Sequence, residues 1–172
     1  MILQKENKDL RKAAEKVTDL KSAEIKHLIG RMAEAMFKEP DGVGIAAPQI
    51  GESLRVFLVA KDIFAPLPER DGKEKKERQK EYLAFINPVM KKYSQKKSKD
   101  IEGCLSVRGF YGEVQRPEKI FIEYIDESGK KHARGASGLF ARVIQHELDH
   151  LEGVLFIDKA KNIKRLDFKH EK

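Results

Sequence analysis

Two histidines and a glutamate in the segment HELDH are the residues of this chain whose types and spacing best suit metal chemistry. On an α-helix, His146 and His150 would lie on one face about 6 Å apart along the axis, so both imidazoles could reach one metal ion, with Glu147 beside it. The competing interpretation is a pair of core histidines held by hydrogen bonds. Because these groups are costly to desolvate in an apolar helix without a shared partner, the pattern favours a metal.

Two histidines do not complete a catalytic metal site, which takes about three protein ligands and leaves one position open to water. In one peptidase group the third ligand is a histidine, but this chain has Phe156 at that position. In another group it is a glutamate on a later helix, but the only glutamate beyond Glu152 is Glu171, near the end of the charged tail. Cys104, the only cysteine, stands in the segment EGCLS, and its thiolate is a strong ligand for Zn(II) or Fe(II). A lone cysteine is as often a small buried hydrophobe, so the residues alone leave its role open.

The HELDH segment requires a helix, and the surrounding residues predict one from Gly138 to about Glu152. Ser137 is positioned to cap its start, and Gly153 is positioned to end it. Apolar residues occupy most sides of this helix. It is therefore predicted to lie buried in the core.

A second helix is predicted near the N-terminus, where Ser22 is a plausible cap. Apolar residues recur there at the spacing of one helical face, at Ile25, Leu28, Ile29, Met32 and Met36. Between the two helices, β-branched and aromatic residues predict strands over 54–60, 82–86, 119–126 and 130–136. The predicted fold class is α+β, with antiparallel strands packed around a central C-terminal helix that carries HELDH, and an N-terminal helix.

Composition and length indicate the number of domains and the cellular location to expect. The 172 residues suit a single domain over 1–172, and a mean hydropathy of −0.58 without a long apolar run argues against a membrane span. The single cysteine and the absence of an apolar leader predict a cytoplasmic location. The segment 66–81 holds six basic and five acidic residues, and is predicted to be a charged surface insertion.

The net charge of +7 is concentrated in two places. Segment 91–100 and the basic tail 159–172 each carry a net charge of +4, and the remainder is close to neutral. This distribution permits a polyanionic partner, such as the ribosome surface, but it does not indicate recognition of a nucleic-acid sequence.

Three segments resemble, in the same order, the three motifs of the peptide deformylases: GVGIAAPQ (42–49), EGCLS (102–106) and QHELDHLEG (145–153). The resemblance extends from about Leu10 to Asp158. It implies an enzyme that removes the N-formyl group from the initiator methionine of new polypeptides and releases formate. It also implies that Cys104, His146 and His150 bind one divalent ion, Fe(II) in many members, with Zn(II), Ni(II) or Co(II) also possible.

The resemblance further implies the roles of three groups in the reaction. Glu147 would take a proton from the attacking water and pass it to the departing amine. The Gln49 side-chain amide and the Leu105 backbone N–H would face the oxyanion.

The same resemblance places substrate against the first motif. Gly42 and Gly44 would let a peptide backbone approach and pair as an added strand. Ile45, Leu139 and Val143 would line a pocket for the methionine side chain, although plain core packing explains these three equally well.

The resemblance also implies that Glu102 and Arg116 lie near one another, which predicts an ion pair that braces the Cys104 loop. Asp149 matches the family's extended motif and is predicted to orient a ligand or to pair with a nearby cation. Two alternative functions stay open. One is an HExxH metallopeptidase that cuts internal peptide bonds, for which Cys104 would be dispensable. The other is a non-catalytic basic module that associates with RNA or the ribosome, for which no metal is expected.

Overall fold

The computed structural model describes residues 1–64 and 80–166. Within these ranges the chain forms two helices and eight strands. In order they are α1 (Ala23–Lys38), β1 (Gly44–Ala46), β2 (Val56–Ala60), β3 (Tyr82–Tyr93), β4 (Lys97–Glu102), β5 (Phe110–Pro117), β6 (Lys119–Ile125), β7 (Lys131–Ser137), α2 (Gly138–Leu151) and β8 (Lys161–Arg165). Short 3₁₀ turns lie at Lys8–Arg11, Ala47–Ile50, Lys61–Phe64 and Phe156–Asp158.

The strands form two sheets. The larger sheet has the order β1-β2-β3-β6-β7, and the smaller has the order β4-β5-β8. All pairings between these strands are antiparallel. The predicted α+β class is therefore confirmed, and β2 and β3, which flank the predicted insertion, pair directly with each other.

Helix α1 covers one side of the larger sheet. The Ser22 hydroxyl accepts a hydrogen bond from the Ile25 N–H at 3.3 Å, as the predicted cap requires. The five apolar residues of its predicted face are all buried, and they pack with side chains of β1 and β2. The sequence periodicity is confirmed here because a single apolar stripe has one sheet to cover.

Helix α2 lies in the core and packs against the other side of the larger sheet. Phe140, Ile144, Leu148 and Leu151 are buried there together with side chains of β2, β3 and β6. The predicted cap is wrong in one respect, because Ser137 makes no capping hydrogen bond through its side chain. Ser137 is the last residue of β7, so the helix continues directly from that strand.

The strand predicted over 82–86 is longer in the structure. Strand β3 continues past Asn87 to Tyr93, with register shifts against β6 that accommodate a positive φ of 50° at Asn87. The Asn87 side chain supports this irregularity by exchanging two hydrogen bonds, both 2.9 Å, with the backbone of Val17.

Within the described part of the predicted basic tail, Lys161–Arg165 forms β8 and pairs with β5. Most of the predicted insertion at 66–81 lies outside the described residues. Among the residues that the structure describes, neither helix is long and apolar enough to cross a membrane.

The glycine that follows α2 generates a test of how the helix end is packed. Gly153 has a φ of 71°, and a Cβ there would lie 2.6 Å from the carbonyl carbon and oxygen of Arg11. Gly129 has a similar φ of 85° but no heavy atom within 4 Å of the corresponding position, so it is a matched control.

Gly129→Ala should lower the free energy of unfolding by about 1–2 kcal/mol through backbone strain alone. Gly153→Ala should cost a further ~1–3 kcal/mol because the methyl group overpacks against the Arg11 backbone. Guanidinium denaturation of both metal-free variants, followed by circular dichroism, measures the difference. Equal losses would show that the Arg11 segment moves away freely.

Candidate metal centre

Three side chains from two parts of the fold meet at the centre of the molecule. One ligand atom each from Cys104, His146 and His150 lies within 4.8 Å of the other two. The Cys104 Sγ is 3.2 Å from the His150 Nε2. Helix α2 presents both histidines, and the turn after β4 presents the cysteine. Two imidazole nitrogens and one thiolate suit a single Zn(II) or Fe(II) ion and leave a position open, so the donor set fits a metal.

Glu102 determines which nitrogen of His146 faces the cluster. Its Oε2 is 3.0 Å from the His146 Nδ1. An ionised carboxylate only accepts hydrogen bonds, so Nδ1 carries a proton. Burial lowers the pKa of His146, but hydrogen bonds with Cys104 and Glu102 raise it to about 10, so Nε2 must release its proton before it can bind a metal ion. His150 is neutral, because burial and the positive charges of His146, Arg116 and Arg11 hold its pKa well below the ordinary value.

Two buried guanidinium groups keep Glu102 ionised. Arg116 donates from Nε at 2.6 Å and from Nη2 at 2.8 Å, and Arg142 donates from Nη1 at 2.7 Å. Burial by itself would raise the pKa of Glu102, but hydrogen bonds from Arg116 and His146 hold it well below the usual range. The predicted ion pair between Glu102 and Arg116 is confirmed.

Asp149 and Gln145 support the site from α2. Asp149 accepts from Arg116 Nη1 at 2.9 Å and from Lys159 Nζ at 2.6 Å, which confirms the predicted pairing of this carboxylate with nearby cations, beside His150 in the chain. Gln145 donates to the carbonyl oxygen of Pro117 at 3.1 Å, so it links α2 to the end of β5 and not to the cluster.

The carboxylate of Glu147 lies in a different environment. It is 3% exposed, and its Oε2 finds no hydrogen-bond partner among the described residues. Burial raises the pKa of Glu147 to about 7. Gly44 makes room for this carboxylate, since a Cβ at that position would lie 2.4 Å from the Glu147 Oε1. A side chain in this state can accept and release a proton near neutral pH.

Gln49 and Leu105 approach the cluster from the opposite wall. Gln49 is buried, its Oε1 accepts from the Ala46 N–H at 2.8 Å, and its Nε2 donates to the Ser106 hydroxyl at 3.1 Å. The same Nε2 lies 3.6 Å from the Cys104 Sγ. Within the described part of the chain, the structure shows no acceptor for the Leu105 N–H.

A cavity of about 710 Å³ opens onto these groups. Gly44, Leu139 and Val143, predicted to contact substrate, lie in its wall. Two other predicted residues do not. Ile45 is 0% exposed and packs with α1, because successive residues of a strand point to opposite faces. Gly42 instead permits a close approach to α1, since a Cβ there would lie 2.2 Å from the carbonyl oxygen of Met36.

Several residues of the site escaped the sequence analysis. Val43 and Arg142 line the cavity, and Ser106 holds the Gln49 amide. Arg142 precedes His146 by one helical turn, so helical periodicity was sufficient to place it on the ligand face. Ser106 is the last residue of the segment EGCLS, but the sequence gives no sign that its hydroxyl holds the Gln49 amide.

The fold and the donor set together define a class of protein. An antiparallel α+β fold that carries one cysteine, two helix histidines and an uncompensated glutamate is that of a mononuclear metal-dependent hydrolase.

Comparisons with known proteins identify the family within this class. The model of the polypeptide deformylase family matches residues 1–166. A peptide deformylase of Rhizobium meliloti is 43% identical over 143 residues, which are 83% of this chain and 75% of that protein. The crystal structure of peptide deformylase from Thermotoga maritima shares 35% identity and a TM-score of 0.78, covering 94% of this chain and 97% of that one.

A third comparison gives the same result. A peptide deformylase from Synechococcus elongatus, crystallised in complex with actinonin, has a TM-score of 0.78 and 33% identity, and the match covers 94% of this chain and 79% of that one. The chain belongs to the polypeptide deformylase family, metal-dependent hydrolases that remove the N-formyl group from nascent polypeptides. The predicted function is confirmed, and its alternatives are not supported.

The buried charges at Glu102 generate a prediction about stability. Arg116→Met should lower the free energy of unfolding by about 3–5 kcal/mol, because Glu102 and Asp149 lose a counter-charge in a buried setting. Arg31→Met is the control, since Arg31 pairs with Glu52 at the surface and its loss should cost less than about 1 kcal/mol. Chemical denaturation of the metal-free proteins measures both, and equal small losses would contradict the assigned role of Arg116.

Proposed function

We propose that Cys104, His146 and His150 hold the metal ion of this deformylase and that Glu147 carries the proton in its reaction. The observation that supports this most directly is the ligand cluster, with its atoms within 4.8 Å of one another, beside a buried carboxylate without a protein partner among the described residues. A buried unsatisfied oxygen is costly, which favours a functional reason for it. When bound, the ion supplies Lewis acidity, which lowers the pKa of water and polarises a carbonyl group.

Glu147 performs both proton transfers in this proposal. With a pKa of about 7 it accepts a proton from the water that attacks the formyl carbon. It then gives this proton to the nitrogen of the departing amine as the bond between carbon and nitrogen breaks. The products are formate and a polypeptide with a free amino terminus.

Gln49 and Leu105 stabilise the oxyanion that forms during the attack. Gln49 is fixed by its hydrogen bonds to Ala46 and Ser106, and its second amide N–H makes only the 3.6 Å contact to the Cys104 sulfur. This N–H and the Leu105 N–H are therefore available to a developing negative charge. Donors fixed in advance are effective because they need no reorganisation during the reaction.

The cavity wall offers apolar surface to the methionine side chain next to the formyl group. Leu139 and Val143 precede His146 on α2 and present apolar surface to the cavity. Gly44 keeps the backbone of β1 close to Glu147. A formyl carbon carries only hydrogen, so a site that admits nothing larger at this carbon would favour formyl over acetyl groups by shape.

The proposal also covers the identity of the metal ion, the cellular location of the enzyme and its contact with the ribosome. We infer Fe(II) as the native metal, with Zn(II), Ni(II) or Co(II) able to replace it, since two imidazoles and a thiolate suit all of them. We also infer one domain over 1–172 in the cytoplasm, in contact with the ribosome surface through its basic segments. The contacts of α2 with strands of both sheets support the single domain.

The role of Glu147 is tested by Glu147→Gln, which keeps the size of the side chain but removes the proton carrier. We expect kcat for formate release from formyl-Met-Ala-Ser to fall at least ~100-fold with the metal content unchanged. Cys104→Ser should instead lose the metal. Glu152→Gln, at the exposed end of α2, is the control and should keep both. Anaerobic preparation with elemental analysis separates these outcomes, and a metal-loaded, active Cys104→Ser protein would refute the ligand assignment.

The role of Gln49 is tested by Gln49→Met, which removes the donor but keeps the length of the side chain. We expect kcat to fall about 10²- to 10³-fold, as for loss of one oxyanion donor, with little change in KM. Gln145→Met is the control, because this second buried amide lies on α2 but does not line the cavity. It should affect stability and leave kcat within a few-fold of the original. Equal effects on kcat would mean that Gln49 acts only through folding.

A further inference from the structure

The two basic segments of the sequence meet in the same sheet. Segment 91–100 supplies the first four residues of β4, and the described part of segment 159–172 supplies β8. These two strands are the outer strands of the smaller sheet, on either side of β5. Two charge clusters that are about 60 residues apart in the chain therefore flank a single strand.

The register determines which side chains share the outer face of this sheet. Glu102 and Ser98 of β4 point inward, where they bond to arginines of the core. Lys97 and Lys99 alternate with them and are exposed. On β8, Lys161 lies opposite Glu113 and Lys164 lies opposite Tyr111, and both lysines are exposed on this face. We define the outer lysine face as Lys97, Lys99, Lys161 and Lys164.

The lysines of this region differ in their partners. Lys91 and Lys96 are paired with Glu123 and Glu118, at 3.4 and 3.2 Å. On the outer lysine face only Lys99 has an acidic partner, Glu113 at 3.5 Å, within the residues that the structure describes. The other three lysines of the face form no ion pair there. The face thus carries unneutralised positive charge, while the rest of the basic excess is partly compensated.

We propose that the outer lysine face binds the phosphate backbone of RNA without reading its sequence. Lys97 and Lys99 are two residues apart on one strand, which separates them by about 6.8 Å, and β8 lies about 10 Å across the sheet from β4. This spacing is comparable with that of successive phosphates in an extended strand. Lysine ammonium groups bind phosphates as flexible point charges, which suits recognition of a backbone.

The proposed contact with the ribosome identifies the RNA as ribosomal, and RNA binding by this face rests on that proposal. The catalytic proposal does not depend on it. The competing partner is an acidic downstream segment of the polypeptide substrate, since Ile101 and Tyr111 border both this face and the cavity. The lysines favour RNA because they continue onto β8, away from the cavity wall, which contains no residue of β8.

The experiment compares two variants that remove the same charge from different places. In the first, the four lysines of the outer lysine face are changed to Gln. In the second, the exposed lysines Lys16, Lys26, Lys130 and Lys131 are changed to Gln as the matched control. The probe is a fluorescently labelled 20-nucleotide poly(U), and binding is followed by anisotropy between 50 and 200 mM KCl.

The original protein should bind the probe, and its affinity should fall roughly 15- to 60-fold over this salt range, as expected for three to four phosphate contacts on a single strand. The face variant should bind at least tenfold more weakly at 50 mM KCl with a shallower salt dependence, and the control should stay within threefold. Equal weakening of both variants, or no binding by the original protein, would overturn the proposal.

Enzyme assays on the same proteins separate the remaining possibilities. Both variants should release formate from formyl-Met-Ala-Ser at the original rate, so a failed RNA experiment leaves the catalytic proposal intact. The competing partner is examined with formyl-Met-Ala-Ser extended by four Glu or by four Gln. A preference for the Glu peptide that the face variant loses, without an effect on poly(U), would assign the face to the substrate and overturn the RNA proposal.

Discussion

The buried carboxylate of Glu102 is the interaction on which the site depends. It stands at the end of β4 in the smaller sheet, and it accepts hydrogen bonds from Arg116 on β5 and from Arg142 and His146 on α2. One side chain therefore joins the smaller sheet to the core helix. Because Cys104 follows Glu102 by two residues, the same contacts that orient the His146 imidazole also bring the cysteine against it. Two guanidinium groups make this burial of charge tolerable.

Glu102 and Glu147 show how environment separates two residues of the same type. Both are buried, but hydrogen bonds from Arg116 and His146 lower the pKa of Glu102, whereas burial raises the pKa of Glu147 to about 7. The Glu147 Oε2 has no hydrogen-bond partner among the described residues. The first carboxylate is thereby fixed as a permanent anion that orients a ligand. The second retains a proton equilibrium that a hydrolase can use. In the proposed mechanism, one glutamate therefore has a supporting role and the other a reactive role.

The sequence predicted those elements whose apolar residues follow a regular period. Both helices and the β6–β7 hairpin are of this kind, because each buries one face against a neighbour. Strand β4 escaped prediction because its inward residues, Ser98 and Glu102, are polar and bond to arginines, so no apolar alternation exists. Strand β8 escaped for a related reason, since all five of its residues are exposed. A strand whose inward residues are polar, or whose residues are all exposed, has no alternation of apolar residues from which it could be predicted.

The sequence by itself determined the chemistry of the protein. The spacing of His146 and His150, with Glu147 between them, follows from the geometry of a single helix, and the three motifs were sufficient to indicate the family. Only the tertiary structure decided how Cys104 reaches these histidines, that Ile45 faces α1 and not the cavity, and that two distant basic segments share one sheet. The physical reason is range. Helical and strand periodicity depends on residues that are close in the sequence. These three outcomes depend on long-range contacts, namely which strands pair and which buried charges must be neutralised.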